Sequence, residues 1–234
     1  MQAHDTESLS EQIAKHISEQ IIRGELVEGE RIQELRIAAE LDVSRGSVRE
    51  ALLLLERTHL IEIYPRRGAI VSEMSAQQVR ALFDTSSLLL GQIVQRIAET
   101  WRSYEAERLQ LLLDELGNQL KQGSIEKFYD LIFEGLARQH EMVGNAYLMK
   151  FYQELLPSIR RSYFLTLNTS RRELQESYDL FKLQLLCNYS NTKCTVSISA
   201  DCDFIINLLK NSIHSFNRLS KSWINFTSGF FLFC

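Results

Sequence analysis

Two short apolar periodicities between Leu35 and Leu55, parted only by Asp42-Val43-Ser44, narrow the choice of fold more than any other feature of this chain. The run from Leu35 to Leu41 reads as a brief amphipathic helix, Asp42-Val43 makes a turn, and Ser44 stands where a hydroxyl can cap the next helix. In that second helix Val48, Ala51, Leu52 and Leu55 recur at i, i+3, i+4 and i+7, so they share a core-facing side. The result is helix, tight turn, helix. An earlier helix from about Leu9 to Gly24, with Ile13, Ile17 and Ile21 inward, completes a three-helix head.

Arg45 and Arg49, four residues apart, fall on the side of the second helix opposite its apolar face, with the small Gly46 between them. A helix presenting two guanidinium groups near its N-terminus can enter a major groove about 12 Å wide, where arginine pairs bidentately with guanine. Downstream, Leu60 to Ile63 and Ala69 to Val71 are short strand-like runs around Tyr64-Pro65-Arg66-Arg67-Gly68, which reads as a two-stranded wing with a basic tip. Arg66 and Arg67 beside a flexible Gly68 suit a phosphate or the minor groove, and Arg36 adds a backbone contact. Taken singly, each arginine could equally be a solvated side chain or an ion-pair partner of Glu40, Glu50 or Glu56.

Composition agrees with a folded, mainly α protein. Of 234 residues 45% are hydrophobic, with two prolines and ten glycines, which favours long helices over a strand-rich chain. The net charge of −4 excludes indiscriminate polyanion binding, so positive charge for DNA must be local. The polar start and the lack of an apolar run of about 18 residues predict a cytoplasmic protein with no membrane partner. Cys187, Cys194, Cys202 and Cys234 match neither a C-x-x-C motif nor a zinc ribbon. No G-x-S-x-G, H-E-x-x-H, G-x-G-x-x-G or G-x-x-x-x-G-K motif occurs, and the histidines are scattered, which speaks against an enzyme.

Three segments follow: a winged helix-turn-helix over 1–74, an all-α helical bundle over 75–186, and an atypical tail over 187–234. In the second, Ser75 and Gln78 have capping-box spacing, ahead of Val79, Leu82, Phe83, Leu90, Ile93 and Ile97. Leu109, Leu112, Leu113, Leu116 and Leu120 form another stripe, and Phe128, Ile132, Phe133 and Leu136 a third that Gly144-Asn145 stops. Leu148, Phe151, Tyr152 and Leu155 form a fourth, which Pro157 is expected to kink or end. The tail is rich in Asn, Ser, Cys and Phe and closes on GFFLFC.

The head resembles the GntR family of bacterial transcription regulators. It carries Glu34 with Ile37-Ala38, then Val43-Ser44-Arg45 with Val48-Arg49-Glu50-Ala51-Leu52, then Arg67-Gly68 with Val71. The resemblance implies that Arg45 and Arg49 read operator DNA, and that Ser44, Ser47 and the wing residues Arg67 and Gly68 support backbone or groove contacts. Gly46 replaces the commoner Thr, and Leu35 stands where an arginine sometimes assists. The helical region resembles the FadR-type (FCD) effector domain of that family. This implies a repressor acting as a homodimer on palindromic double-stranded operator DNA, modulated by a small-molecule effector such as an organic or fatty acid derivative.

Many relatives of that type hold a divalent metal with one Asp and three His. Here Asp130 and Glu134, one helical turn apart, are the candidate effector or metal ligands. The remaining family ligands are largely missing, with His140 and His214 as the only histidines further along. Ser86 and Leu90 stand where Arg and Glu are frequent. The alternatives are a metal-free or non-functional sensor domain, or a winged helix that serves as a protein-interaction adaptor.

Overall fold

The computed structural model describes residues 7–100, 103–140, 143–168, 172, 174–179 and 182. The side chains of Leu109, Arg138 and His140 lie outside the described residues, as do His214, the four cysteines and the whole tail. The chain divides into two compact units, one formed by residues 1–75 with 150–162, the other by 76–149 with the residues from 163 on.

The first unit opens with α1 (Leu9–Ile22), which starts where a reciprocal cap satisfies its free N–H groups. The Ser8 hydroxyl accepts from the Glu11 N–H at 3.2 Å, and the Glu11 carboxylate accepts from the Ser8 N–H at 2.7 Å. Next come α2 (Glu34–Glu40) and α3 (Arg45–Arg57), with Asp42 in the left-handed conformation at the turn. Ile13, Ile17 and Ile21 of α1 meet Ile37 of α2 and Val48, Ala51, Leu52 and Leu55 of α3 in one buried cluster that also takes in Leu60, Ile61, Ala69 and Val71. Each Ile, Leu or Val side chain among them, once fully buried, contributes about 1.5–3 kcal/mol. The cluster is entirely aliphatic.

The wing is a hairpin of β1 (Ile61–Tyr64) and β2 (Gly68–Val71), antiparallel, with Ile61 opposite Val71 and Tyr64 opposite Gly68. It is displaced slightly from the expected runs, because Tyr64 and Gly68 close the ladder while Leu60 lies just outside it, bonded through its carbonyl to the Ser72 N–H. The three-residue tip needs left-handed backbone at Arg66 (φ +66°) and at Gly68 (φ +80°). Unforeseen from sequence, the segment around Arg31 runs along the outside of β2. The Ile32 N–H donates to the Ala69 carbonyl and the Val71 N–H to the Glu30 carbonyl, both at 2.9 Å.

Residues 150–162 join this unit through polar contacts. Arg161, only 3% exposed, donates to the Ser72 carbonyl at 2.8 Å and to the Glu28 carboxylate at 3.1 Å. Arg160 bonds Glu19 at 2.7 Å, and the Ser158 hydroxyl donates to the Thr58 carbonyl at 3.0 Å. These residues belong to α7 (Ala146–Leu167), which contains Pro157 in its interior and does not end there. Asn145 is the N-cap of α7, its side chain accepting from the Leu148 N–H at 3.1 Å. It therefore starts this helix as well as following the one before it. Phe151, counted in the apolar stripe, is exposed, and Tyr152 takes the buried position.

The described part of the second unit is helical: α4 (Ala76–Thr100), α5 (Ser103–Gln122), α6 (Ile125–His140) and the end of α7. Val79, Phe83, Ile93 and Ile97 are the buried face of α4, and Leu113 and Leu116 that of α5. Helices α5 and α6 approach closely at Gly135, where an added β-carbon would stand 2.5 Å from Leu112 Cδ2. The aromatic centre holds Tyr129 against Phe133 at 4.8 Å and edge-on to Phe164 at 5.1 Å between ring centroids. No helix among the described residues is long and apolar enough to cross a membrane.

Candidate nucleic-acid interface

Helix α3 is aimed by its underside. Val48, Ala51, Leu52 and Leu55 are buried, so Arg45 and Arg49 emerge on the solvent side with 52% and 60% of their side chains exposed. Its N-terminus is fixed by Ser44, whose hydroxyl accepts from the Ser47 N–H at 3.0 Å. The Ser44 and Ser47 hydroxyls also share a hydrogen bond at 2.9 Å.

Both arginines are held by a residue that sequence reasoning quoted only as part of a motif. Glu34, the first residue of α2, accepts from Arg45 Nε at 2.7 Å and from Arg49 Nε at 2.9 Å, through the same oxygen, Oε2. Glu40, Glu50 and Glu56 are engaged elsewhere: Glu40 lies 3.4 Å from His16, Glu50 accepts from the Ser10 hydroxyl, and Glu56 accepts from the Ile63 N–H. Burial pushes the Glu34 carboxyl up, but hydrogen bonds and Coulombic attraction from Arg45 and Arg49 outweigh it, and it sits below its usual value. A carboxylate on Nε leaves the outer edge of each guanidinium, Nη1 and Nη2, for an external acceptor. That edge is the fork that matches guanine O6 and N7 or a phosphate. Local charge across the three groups is +1.

Arg36 is exposed on α2, and Arg66 and Arg67 are exposed at the wing tip. Among the described residues none of the three side chains makes a hydrogen bond or ion pair, while the Arg67 N–H donates to the Tyr64 carbonyl at 3.2 Å. Tyr64, beside them, donates its hydroxyl to the Glu62 carboxylate. The structure thus brings together Ser44, Arg45, Ser47 and Arg49 around one helix N-terminus, and Arg66, Arg67 and Gly68 at one hairpin end.

Asp130 and Glu134 are exposed on α6. Among the described residues no group of three or more His, Cys, Asp or Glu side chains is placed to hold a metal ion. Two exposed carboxylates do not make a coordination shell for a divalent cation, which takes six or more oxygen ligands or a His-rich set. The second unit has an open cavity of about 780 Å³ whose walls include Asp114, Asn118, Lys121, Arg172, Gln175 and Tyr178. Neither Asp130 nor Glu134 lines it. Ser86 is buried, its hydroxyl donating to the Leu82 carbonyl at 2.6 Å.

Comparison with known proteins places these features. The family model of bacterial regulatory proteins of the gntR family matches residues 9–71. The gluconate operon transcriptional repressors of Bacillus licheniformis and Bacillus subtilis are 24% and 26% identical to this chain over 173 and 172 residues. Those stretches are 73% and 72% of this chain and 68% of each repressor. The HTH-type transcriptional repressor RspR of Escherichia coli is 33% identical over 79 residues, 34% of this chain and 35% of RspR. Among solved structures, Escherichia coli McbR/YncC superposes with a TM-score of 0.75 at 19% identity, covering 91% of this chain and 99% of its own, a likeness of fold.

Proposed function

From the GntR-family DNA-binding domain that this transcription regulator carries at its N-terminus, we propose that the chain is a repressor that grips palindromic operator DNA as a homodimer. Residues 1–74 are the DNA-binding domain of this reading, and 75–186 an FCD-like effector-binding and dimerisation domain in a cytoplasmic protein. The observation that carries it is the arginine pair on α3, exposed and held by one carboxylate. Pre-setting two long side chains lowers the ordering cost of binding, about 0.5–1.5 kcal/mol for each. It also fixes the spacing at which two guanines can be read.

Arg45 and Arg49 read bases. Ser44 and Ser47 sit at the end of α3 whose free N–H groups and dipole favour a phosphate. Arg36, Arg66, Arg67 and Gly68 contact backbone or minor groove. A dimer supplies two heads to two half-sites, since one such head buries little DNA surface. The effector reading is supported by the open cavity in the second unit, whose wall carries Lys121, Arg172 and Asp114, with Arg172 bonded to Glu176 at 2.6 Å. Asp130 and Glu134, one turn apart on α6, are the candidate effector or metal ligands of this reading. The names of the repressors that this chain resembles support repression and a role other than enzymatic.

The test is a gel-shift titration of the purified protein with its own upstream DNA and with scrambled duplex. Arg45→Ala and Arg49→Ala are each expected to cost about 1–3 kcal/mol of discrimination per half-site. Equal affinity of the wild type for both duplexes, unchanged by either substitution, overturns the reading and favours an adaptor.

A further inference from the structure

The wing carries a cation that neither the core nor the recognition helix uses. Arg31 lies in the segment that flanks β2, pairing with Ile70. The bonds on either side, Ile32 N–H to the Ala69 carbonyl and Val71 N–H to the Glu30 carbonyl, fix its place along the hairpin. It is exposed, and among the described residues it makes no hydrogen bond or ion pair.

Its guanidinium lies over the backbone of Gly68. A β-carbon built at Gly68 would stand 3.7 Å from Arg31 Nε and 3.8 Å from Nη2. Gly68 follows Arg66-Arg67 directly, and the side chains of those two are exposed and form no ion pair among the described residues. One hairpin end therefore collects three guanidinium groups from two separate segments. The carboxylate next along the hairpin, Glu62, accepts from the Tyr64 hydroxyl. Like charges gathered at one end repel one another; Glu62 and Glu73, which act electrostatically at Tyr64 beside Arg67, offset part of that repulsion, and a polyanion relieves the rest. A planar guanidinium with five donors matches the oxygens of a phosphodiester.

We infer that Arg31 is a DNA-contacting residue of the wing, donating to a backbone phosphate beside Arg66 and Arg67. This rests on the reading of the chain as an operator-binding regulator. Phosphate contacts fix register and supply salt-dependent affinity without sequence information, whereas base contacts do the reverse. The two classes are therefore separable by experiment.

The experiment measures affinity for operator and for unrelated duplex across a salt series, with the full chain and with Arg31→Ala, Arg31→Gln and Arg45→Ala. Thermal unfolding of each variant is recorded alongside. For Arg31→Ala and Arg31→Gln the plot of log affinity against log salt should flatten by about 0.9 for each head, or about 1.8 for the dimer. The fold-loss should be equal on the two duplexes, and Arg31→Lys should recover most of it. A folded Arg31→Ala and Arg31→Gln pair with the wild-type salt slope overturns the inference. Arg45→Ala reports separately on the parent reading, since it should remove discrimination and leave unrelated duplex nearly as well bound. If it changes nothing, that reading fails whatever Arg31 does.

Discussion

Glu34→Gln tests whether the two recognition arginines are positioned or merely present. The substitution keeps the shape and removes the charge that holds Arg45 Nε at 2.7 Å and Arg49 Nε at 2.9 Å. Glu34 is 20% exposed and its partners are half in water. Each pair is thus near the value of a surface ion pair, and the variant should lose about 1 kcal/mol of stability. The larger effect falls on binding. Releasing two guanidinium groups restores rotamer entropy of about 0.5–1.5 kcal/mol each, which must be lost again on the operator. Discrimination between operator and unrelated duplex should drop by about 1–3 kcal/mol, or about 5- to 150-fold, for each half-site. Affinity for unrelated duplex should hold or rise, because a negative charge has left the interface. The two affinities therefore move apart in sign.

A fluorescence-anisotropy titration on both duplexes reads this directly. The reasoning is refuted if Glu34→Gln binds operator more tightly while discrimination is unchanged, for then the carboxylate masks the arginines rather than aiming them. The acid limb adds a check. The Glu34 carboxyl is held below its ordinary value of 4.5, so its contribution to stability is full above that pH. It is lost as pH falls through the lowered value. The stability gap between wild type and Glu34→Gln should be flat at neutral pH and close only in acid.

Two further outcomes concern the frame around the site. Ser44→Ala removes the acceptor for the Ser47 N–H and should cost about 1 kcal/mol in chemical denaturation, with weaker operator binding because the start of α3 frays. Arg161→Met strands the Ser72 carbonyl and leaves the Glu28 carboxylate with the Met74 N–H at 3.3 Å. Glu28 still reaches water, so the loss should be about 1–3 kcal/mol in thermal unfolding, and a variant as stable as the wild type refutes the assigned role of Arg161.

What sequence could show and what it could not divides along the range of the interactions. The buried face of α3 was legible because Val48, Ala51, Leu52 and Leu55 follow a local period, and the hairpin because two β-like runs bracket a turn. Glu34 was visible as a motif residue, yet its grip on Arg45 and Arg49 spans eleven and fifteen positions and follows no period. The strand-like course of residues 30–32 had no signal, since its pairing partner is set by the fold and not by its own composition. The same holds for residues 150–162, which lie about a hundred positions from the groups they bond. Pro157 was expected to kink or end its helix, and α7 does not end there. The ring removes one N–H from the ladder, and Ser158, Arg160 and Arg161, in the turn that follows, have partners outside the helix. Asn145 was read as a stop when its amide starts the next helix, and an Asn serves either end.

The all-aliphatic interior of the head leaves it optically almost silent. Residues 1–75 contain no Trp or Phe and a single Tyr, Tyr64, which sits next to Pro65 at the hairpin tip and is 41% exposed. A fluorinated tyrosine incorporated throughout the protein would place one nucleus at the wing and none in the three helices behind it. Its resonance, assigned by Tyr64→Phe, would follow the groove-facing end of the head alone, free of any signal from its core.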